Sequence, residues 1–192
     1  MQTKTLLILL FTFQVVAGQV STSTGIYFAK EYSKEIALYN AKKYVIENLF
    51  GDSKDAVRFE MDPLSAASSG ELTSLVYVCS EKNKEGMVLG FYNDNWNNAG
   101  VIYSAYAFKN LPKEKAIKLL DEIDSLINNN NEYFFKDNNT NNVYFHFDDM
   151  TFLLFNNDNA STKIRVFWNG FDSEWDFTAF KRTKKRLQKK LN

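Results

Sequence analysis

The dipeptide Asn169-Gly170 separates two aromatic, β-prone runs, Lys163 to Trp168 and Phe171 to Trp175. A two-residue type I′ hairpin needs positive φ at both central positions, which Asn and Gly tolerate best. Such a turn sets the register by counting. Trp168 faces Phe171, Arg165 faces Glu174, Ile164 faces Trp175 and Lys163 faces Asp176. Two opposite-charge pairs then share one face and the Ile164–Trp175 pair lies on the other, each cross-strand pair contributing about 0.2–1 kcal/mol. The competing reading is a helix starting near Ser173, with Ser173 and Asp176 as a capping pair. It would turn Trp175 away from the Phe177/Phe180 face, so the hairpin is expected.

The rest of the chain alternates helical and strand-like segments. Tyr27 to Phe50 reads as a helix, because Phe28, Tyr32, Ile36, Tyr39, Tyr44, Val45 and Leu49 recur at three- and four-residue steps. Gly51 stands where a C-terminal cap belongs. A short strand is expected over Ala56 to Met61, stopped by Asp62-Pro63, with a flexible loop over Ser65 to Gly70. Leu72 to Ser80, Met87 to Tyr92 and Val101 to Phe108 read as strands of an antiparallel meander. Their linkers are the turn-rich stretches Glu81 to Gly86 and Asn93 to Gly100.

Leu111-Pro112 is expected to open a second helix with Pro in its first turn. Its apolar line runs through Ala116, Leu119, Leu120, Ile123 and Ile127, and Asn128 to Asn131 ends it. Tyr133 to Lys136, Val143 to Phe147 and Thr151 to Phe155 read as further strands. A third helix spans about 178–191, with Phe177, Phe180, Leu187 and Leu191 on one face. The expected class is α+β: antiparallel meander sheets packed by about three helices. Ala107-Phe108-Lys109 and Ala179-Phe180-Lys181 both stand where the second and third helices are entered. That hints at a weak internal duplication of helix plus strands, though a Phe- and Lys-rich chain produces such triplets by chance.

The N-terminus carries an export pattern. A positive start at Lys4 precedes the apolar run Leu6 to Val16 and the small residues Ala17-Gly18, so residues 1–18 read as a signal peptide cleaved after Gly18. The run is roughly half the ~20 residues needed to cross a bilayer, so no transmembrane anchor is expected after cleavage. The remainder, 19–192, is expected to be a single periplasmic or secreted domain. Its one cysteine, Cys79, excludes an intramolecular disulfide framework and suits a small core position in the run Leu75 to Cys79.

Candidate chemistry is sparse. One histidine excludes HExxH zinc chemistry, and the 8 glycines form neither GxGxxG nor GxxxxGK[ST], so no cofactor or metal is implied. His146 shares a strand face with Tyr144 and Asp148, an arrangement that suits a general base and hence a hydrolase. No GxSxG nucleophile accompanies it. The carboxylates Asp148-Asp149 point to opposite strand faces, and Glu174 and Asp176 sit beside basic partners. Trp96, with Asp94 and Asn98 in a loop over Tyr92 to Asn98, suits sugar stacking or a weak calcium site through Asp94, and equally an ordinary turn. Asn156 to Asn159 is a second such loop and lacks EF-hand spacing.

Charge is the sharpest asymmetry. The 23 basic and 23 acidic residues cancel overall, but Lys181, Arg182, Lys184, Lys185, Arg186, Lys189 and Lys190 crowd the last twelve positions without an acid. Residues 19–180 hold 15 basic against 23 acidic side chains, a formal −8. A cationic helix beside an acidic body suits an anionic envelope surface, and it also simply suits a helix C-terminus. An exported protein meets little nucleic acid, so none is expected as a partner. The leading expectation is an exported, non-catalytic domain that binds a carbohydrate or a protein partner. The alternatives are an envelope-associated protein using the basic helix, and a hydrolase centred on His146.

Overall fold

The computed structural model describes residues 37–96, 102–136, 140–156 and 162–191. The expected signal peptide, the first part of the helix expected over Tyr27 to Phe50, Asn98 and the centre of the loop Asn156 to Asn159 lie outside these residues. The chain divides into two compact units, one ending at Val45 and the other comprising Ile46–Asn192. In the first, residues 37–45 form helix α1, with Ala41 and Val45 buried.

The second unit begins with the π-helical turn Ile46–Phe50. The Gly51 N–H donates to the Ile46 carbonyl at 3.0 Å, and Gly51 takes φ +65°, the left-handed conformation expected of a capping glycine. Four strands follow, β1 (Glu60–Ala66), β2 (Leu72–Cys79), β3 (Lys84–Trp96) and β4 (Ile102–Pro112), hydrogen-bonded in that order as an antiparallel sheet. Helices α2 (Lys113–Asn129) and α3 (Asn131–Lys136) lead to β5 (Asn142–Phe147), β6 (Met150–Asn156), β7 (Thr162–Trp168) and β8 (Phe171–Asp176), a second antiparallel meander. Helix α4 (Phe177–Leu191) closes the chain. The architecture is α+β, and four strands followed by a helix occur twice. The Ala-Phe-Lys triplets are not its marker. Ala107 to Lys109 lie in β4, four residues before α2, whereas Ala179 to Lys181 lie inside α4.

One core serves both sheets. Leu72, Val76, Met87, Leu89, Phe91 and Leu111 of the first sheet join Phe152, Leu154, Ile164, Val166 and Trp175 of the second. Ala116, Leu119, Leu120 and Ile123 of α2 and Phe180, Leu187 and Leu191 of α4 complete it. Phe91 meets Trp168 at 5.0 Å and Phe171 at 6.1 Å between ring centroids. Ser74 and Thr183 share a buried 2.6 Å hydrogen bond, and Thr183 also donates to the Ala179 carbonyl, so this polar pair is satisfied inside an apolar contact. The opposite face of the first sheet buries Leu75, Tyr77, Cys79 and Val88, as expected for the cysteine, with Phe50 edge-on to Tyr77.

The Asn169-Gly170 hairpin has the register obtained by counting, and both residues take positive φ, +49° and +80°. The ion pairs run diagonally instead of straight across: Lys163 reaches Glu174 at 2.5 Å and Arg165 reaches Asp172 at 2.7 Å. Long side chains span the diagonal, which leaves Asp176 for another task.

Several boundaries differ from the sequence reading. The strand expected over Ala56 to Met61 lies instead at Glu60–Ala66 and runs through Pro63. Pro63 is accepted because β1 is an edge strand, and a bulge at Leu64 follows it. The loop expected over Ser65 to Gly70 shrinks to a turn closed by Gly70 N–H to the Ala67 carbonyl, 2.9 Å. Asn93 to Trp96 are strand, not linker: β3 and β4 continue past the start of β2 as a two-stranded ribbon. Pro112 ends β4 just before the first turn of α2. Tyr133 to Lys136 form helix α3, because burying Phe134 outweighs the aromatic preference for strands. The asparagine run therefore interrupts helix for only one residue, Asn130, whose side chain donates to the Leu126 carbonyl at 2.8 Å. The described helices number four, where about three were expected.

Candidate functional site

The second sheet has one face in the core and one in solvent. Burial alternates along β6: Met150, Phe152, Leu154 and Asn156 are buried, while Thr151, Leu153 and Phe155 are half-buried. Register carries this alternation across the sheet. Tyr144 and His146 of β5, Lys163, Arg165 and Phe167 of β7, and Asp172 and Glu174 of β8 share the outer face with them. The β7–β8 half of this face is charged and neutralised by the diagonal ion pairs. The β5–β6 half carries no charge and exposes Tyr144 (69 %), His146 and, at its border, Phe167 (37 %).

Edges distinguish this site further. In a two-residue hairpin the pair flanking the turn is hydrogen-bonded, and bonded and non-bonded pairs then alternate. In β7–β8 that parity directs the Glu174 N–H away from β7, and it donates there to a Glu71 carboxylate oxygen at 2.8 Å. The same turn of the first sheet places the Ser68 N–H 2.7 Å from Asp176. On the β8 edge the outward N–H of Glu174 is thus engaged. The β1 edge is covered by α4: Arg186 donates to the carbonyl of the bulged Leu64 at 2.6 Å, and Lys190 pairs with Glu60 and Asp62. By the same parity, the turn Asp148-Asp149 makes Asn142, Tyr144 and His146 direct their N–H and C=O groups away from β6. Among the described residues, β5 pairs with no strand but β6.

Asp148 leaves the face on which the sequence placed it. It occupies the β5–β6 turn at φ +58°, bonded to Lys115 at 2.9 Å and to Lys109 at 3.2 Å. Asp149 meets Lys109 and accepts a bond from the Trp168 indole N–H at 2.9 Å. Hydrogen bonds from Lys115 and Lys109 hold the Asp148 carboxyl below its ordinary range, and those from Lys109 and Trp168 do the same for Asp149. This cluster pins the end of the second sheet to β4 and α2. His146 is left with Thr151, whose Oγ1 lies 3.0 Å from Nδ1, and with the edge of Tyr144 at 5.8 Å. No third group orients the imidazole among the described residues, and none of their His, Cys, Asp or Glu side chains cluster as a metal site.

The other candidates are dispersed. Asp94 and Trp96 are two residues apart on the β3 ribbon, opposite Ser104 and Ile102, and Asn98 lies outside the described residues. On α4 the cations divide. Lys181 and Lys184 bind Asp124, Lys184 also binds Asp121 at 2.9 Å, Lys190 binds Glu60 and Asp62, and Arg186 binds Leu64. Arg182, Lys185 and Lys189 are exposed and have no ion-pair partner among the described residues. Sequence reasoning missed Thr151, Leu153 and Phe155, because the largely apolar β6 hides which face is outward, and Phe167, because its place opposite Thr151 depends on β7 pairing with β6. No described helix is long and apolar enough to cross a membrane. Comparison of the chain with models of known protein families, with curated proteins and with solved structures finds no match.

Proposed function

We propose that the chain is an exported, non-catalytic binding domain, and that its partner is a protein segment docked as an added strand along β5. The observation that carries this reading is the contrast of the β5 edge with the β1 and β8 edges. The β1 edge has a proline, a bulge and a covering helix, and the β8 edge has the acids Asp172, Glu174 and Asp176 and Glu71 on its Glu174 N–H, whereas Asn142 to Phe147 contain no charge, proline or bulge. An unprotected edge is an aggregation hazard unless something pairs with it. Strand addition satisfies the outward groups of Asn142, Tyr144 and His146, and sets partner side chains beside Tyr144 and His146. The leader-like residues 1–18 support export.

A photo-crosslinking amino acid at Tyr144 tests the reading, with the same probe at exposed Lys118 of α2 as control. The expected result is an adduct of discrete mass from the native exported fraction, formed only from position 144. Excess unlabelled protein should suppress it, and Thr151→Glu should abolish it while leaving the melting temperature nearly unchanged. Equal adducts from both positions, or none from 144, would remove β5 as the docking edge.

A further inference from the structure

The three cations of α4 that have no ion-pair partner among the described residues form one line. Arg182, Lys185 and Lys189 are spaced i, i+3 and i+7, which places them within about 60° of arc and along about 10 Å of helix. On one side of the line Lys181 and Lys184 are occupied by Asp121 and Asp124. On the other, Arg186 and Lys190 are occupied by the β1 edge. The buried side chains face the opposite way, Leu187 and Leu191 in the core and Thr183 bonded to Ser74.

The −8 of residues 19–180 already supplies the net charge that keeps a domain soluble, so solubility does not account for a cationic row. We propose that this row binds a linear, phosphate-bearing polymer. Charge complementarity sets the sign of the partner, and the acids flanking the row set its shape. A flat anionic bilayer laid on the row would also approach Asp121 and Asp124 on one side and Glu60 and Asp62 on the other, within about a Debye length, ~8 Å at physiological salt, and be repelled by them. A chain laid along the helix touches the row and stays clear of the rest. This surface is separate from the β5 edge, and its test does not depend on that reading.

The experiment is fluorescence anisotropy of labelled long-chain inorganic polyphosphate with the purified full chain, titrated across sodium chloride concentration. Three phosphate contacts on a flexible polyanion give a slope of log K against log salt of about −2, or roughly a 100-fold loss of affinity between 20 and 200 mM. The Arg182→Gln/Lys185→Gln/Lys189→Gln variant should lose binding while melting like the wild type. Lys184→Gln should lower the melting temperature and keep the slope. An unchanged slope in the triple variant, or no binding by the wild type at 20 mM salt, would overturn the proposal. So would equal binding to vesicles with 30 % phosphatidylglycerol, because a flat surface would then serve as well.

Discussion

Asp176 is the residue whose removal most sharply tests how the two sheets are joined. Its carboxylate accepts the Ala179 N–H at 2.9 Å, capping the first turn of α4, and the Ser68 N–H at 2.7 Å in the β1–β2 turn. Asp176→Ala removes both. Losing an aspartate N-cap costs about 1 kcal/mol. Losing a hydrogen bond to a charged acceptor costs about 1.5–3 kcal/mol, taken at the low end because the group is half-exposed and water can replace it. The sum is about 2–3 kcal/mol, a fall in Tm of roughly 5–10 °C for a chain of this size. Thermal melts followed by near-ultraviolet circular dichroism at pH 7 measure it. Asp176→Asn caps nearly as well and keeps an acceptor, so its loss should stay below about 1 kcal/mol. Partial burial pushes the Asp176 carboxyl up, but the bonds from Ala179 and Ser68 outweigh it and leave it below the ordinary range. Its stabilisation is therefore complete above about pH 4, the unfolded value, and fades as pH falls through the folded one. Wild type and Asp176→Ala should converge in acid. An Ala variant melting within 2 °C of wild type at pH 7, or an Asn variant as unstable as Ala, would refute this account of the junction.

Two further outcomes follow from the same packing. The Asp148 and Asp149 carboxyls are also held below their ordinary range, so wild type should lose more stability than Asp148→Asn/Asp149→Asn between pH 5 and pH 3, with the curves closing below about pH 4. Parallel curves would mean that the lysine cluster adds nothing. A Cβ on Gly86 would lie 2.5 Å from the Leu111 carbonyl oxygen and 3.0 Å from the Pro112 Cα, both backbone atoms, so Gly86→Ala should destabilise by about 1–3 kcal/mol in urea unfolding. An unaffected midpoint would show that β3 and β4 can part there.

The sequence was most legible where turn chemistry is local. Asn169-Gly170 carries its own φ preferences, so the β7–β8 register follows by counting, and Gly51 announces the end of its helix in the same way. Pro63 misled because being at an edge is a property of the whole sheet. The Asn-rich stretch around Trp96 misled because a two-stranded ribbon buries little and needs no apolar alternation. Tyr144 and His146 were legible as one strand face, but their position on an open edge depends on the order of four strands. The basic cluster of α4 was visible as composition. Its division into engaged and free cations was not, since the acids that occupy Lys184 and Lys190 come from α2 and β1, far away in the chain.

The central claim is that, among the described residues, the outer edge of β5 is unpaired while Glu71 holds the outward Glu174 N–H of β8, and amide hydrogen exchange resolved by residue measures this directly. The Tyr144 and His146 amides should exchange fast and the Phe145 amide, bonded to β6, slowly. The Glu174 amide, equivalent in parity but held by Glu71, should be protected, and Glu71→Ala should release it. Slow exchange at Tyr144 and His146 in the isolated protein would contradict the account, because it would mean that the chain already covers this edge.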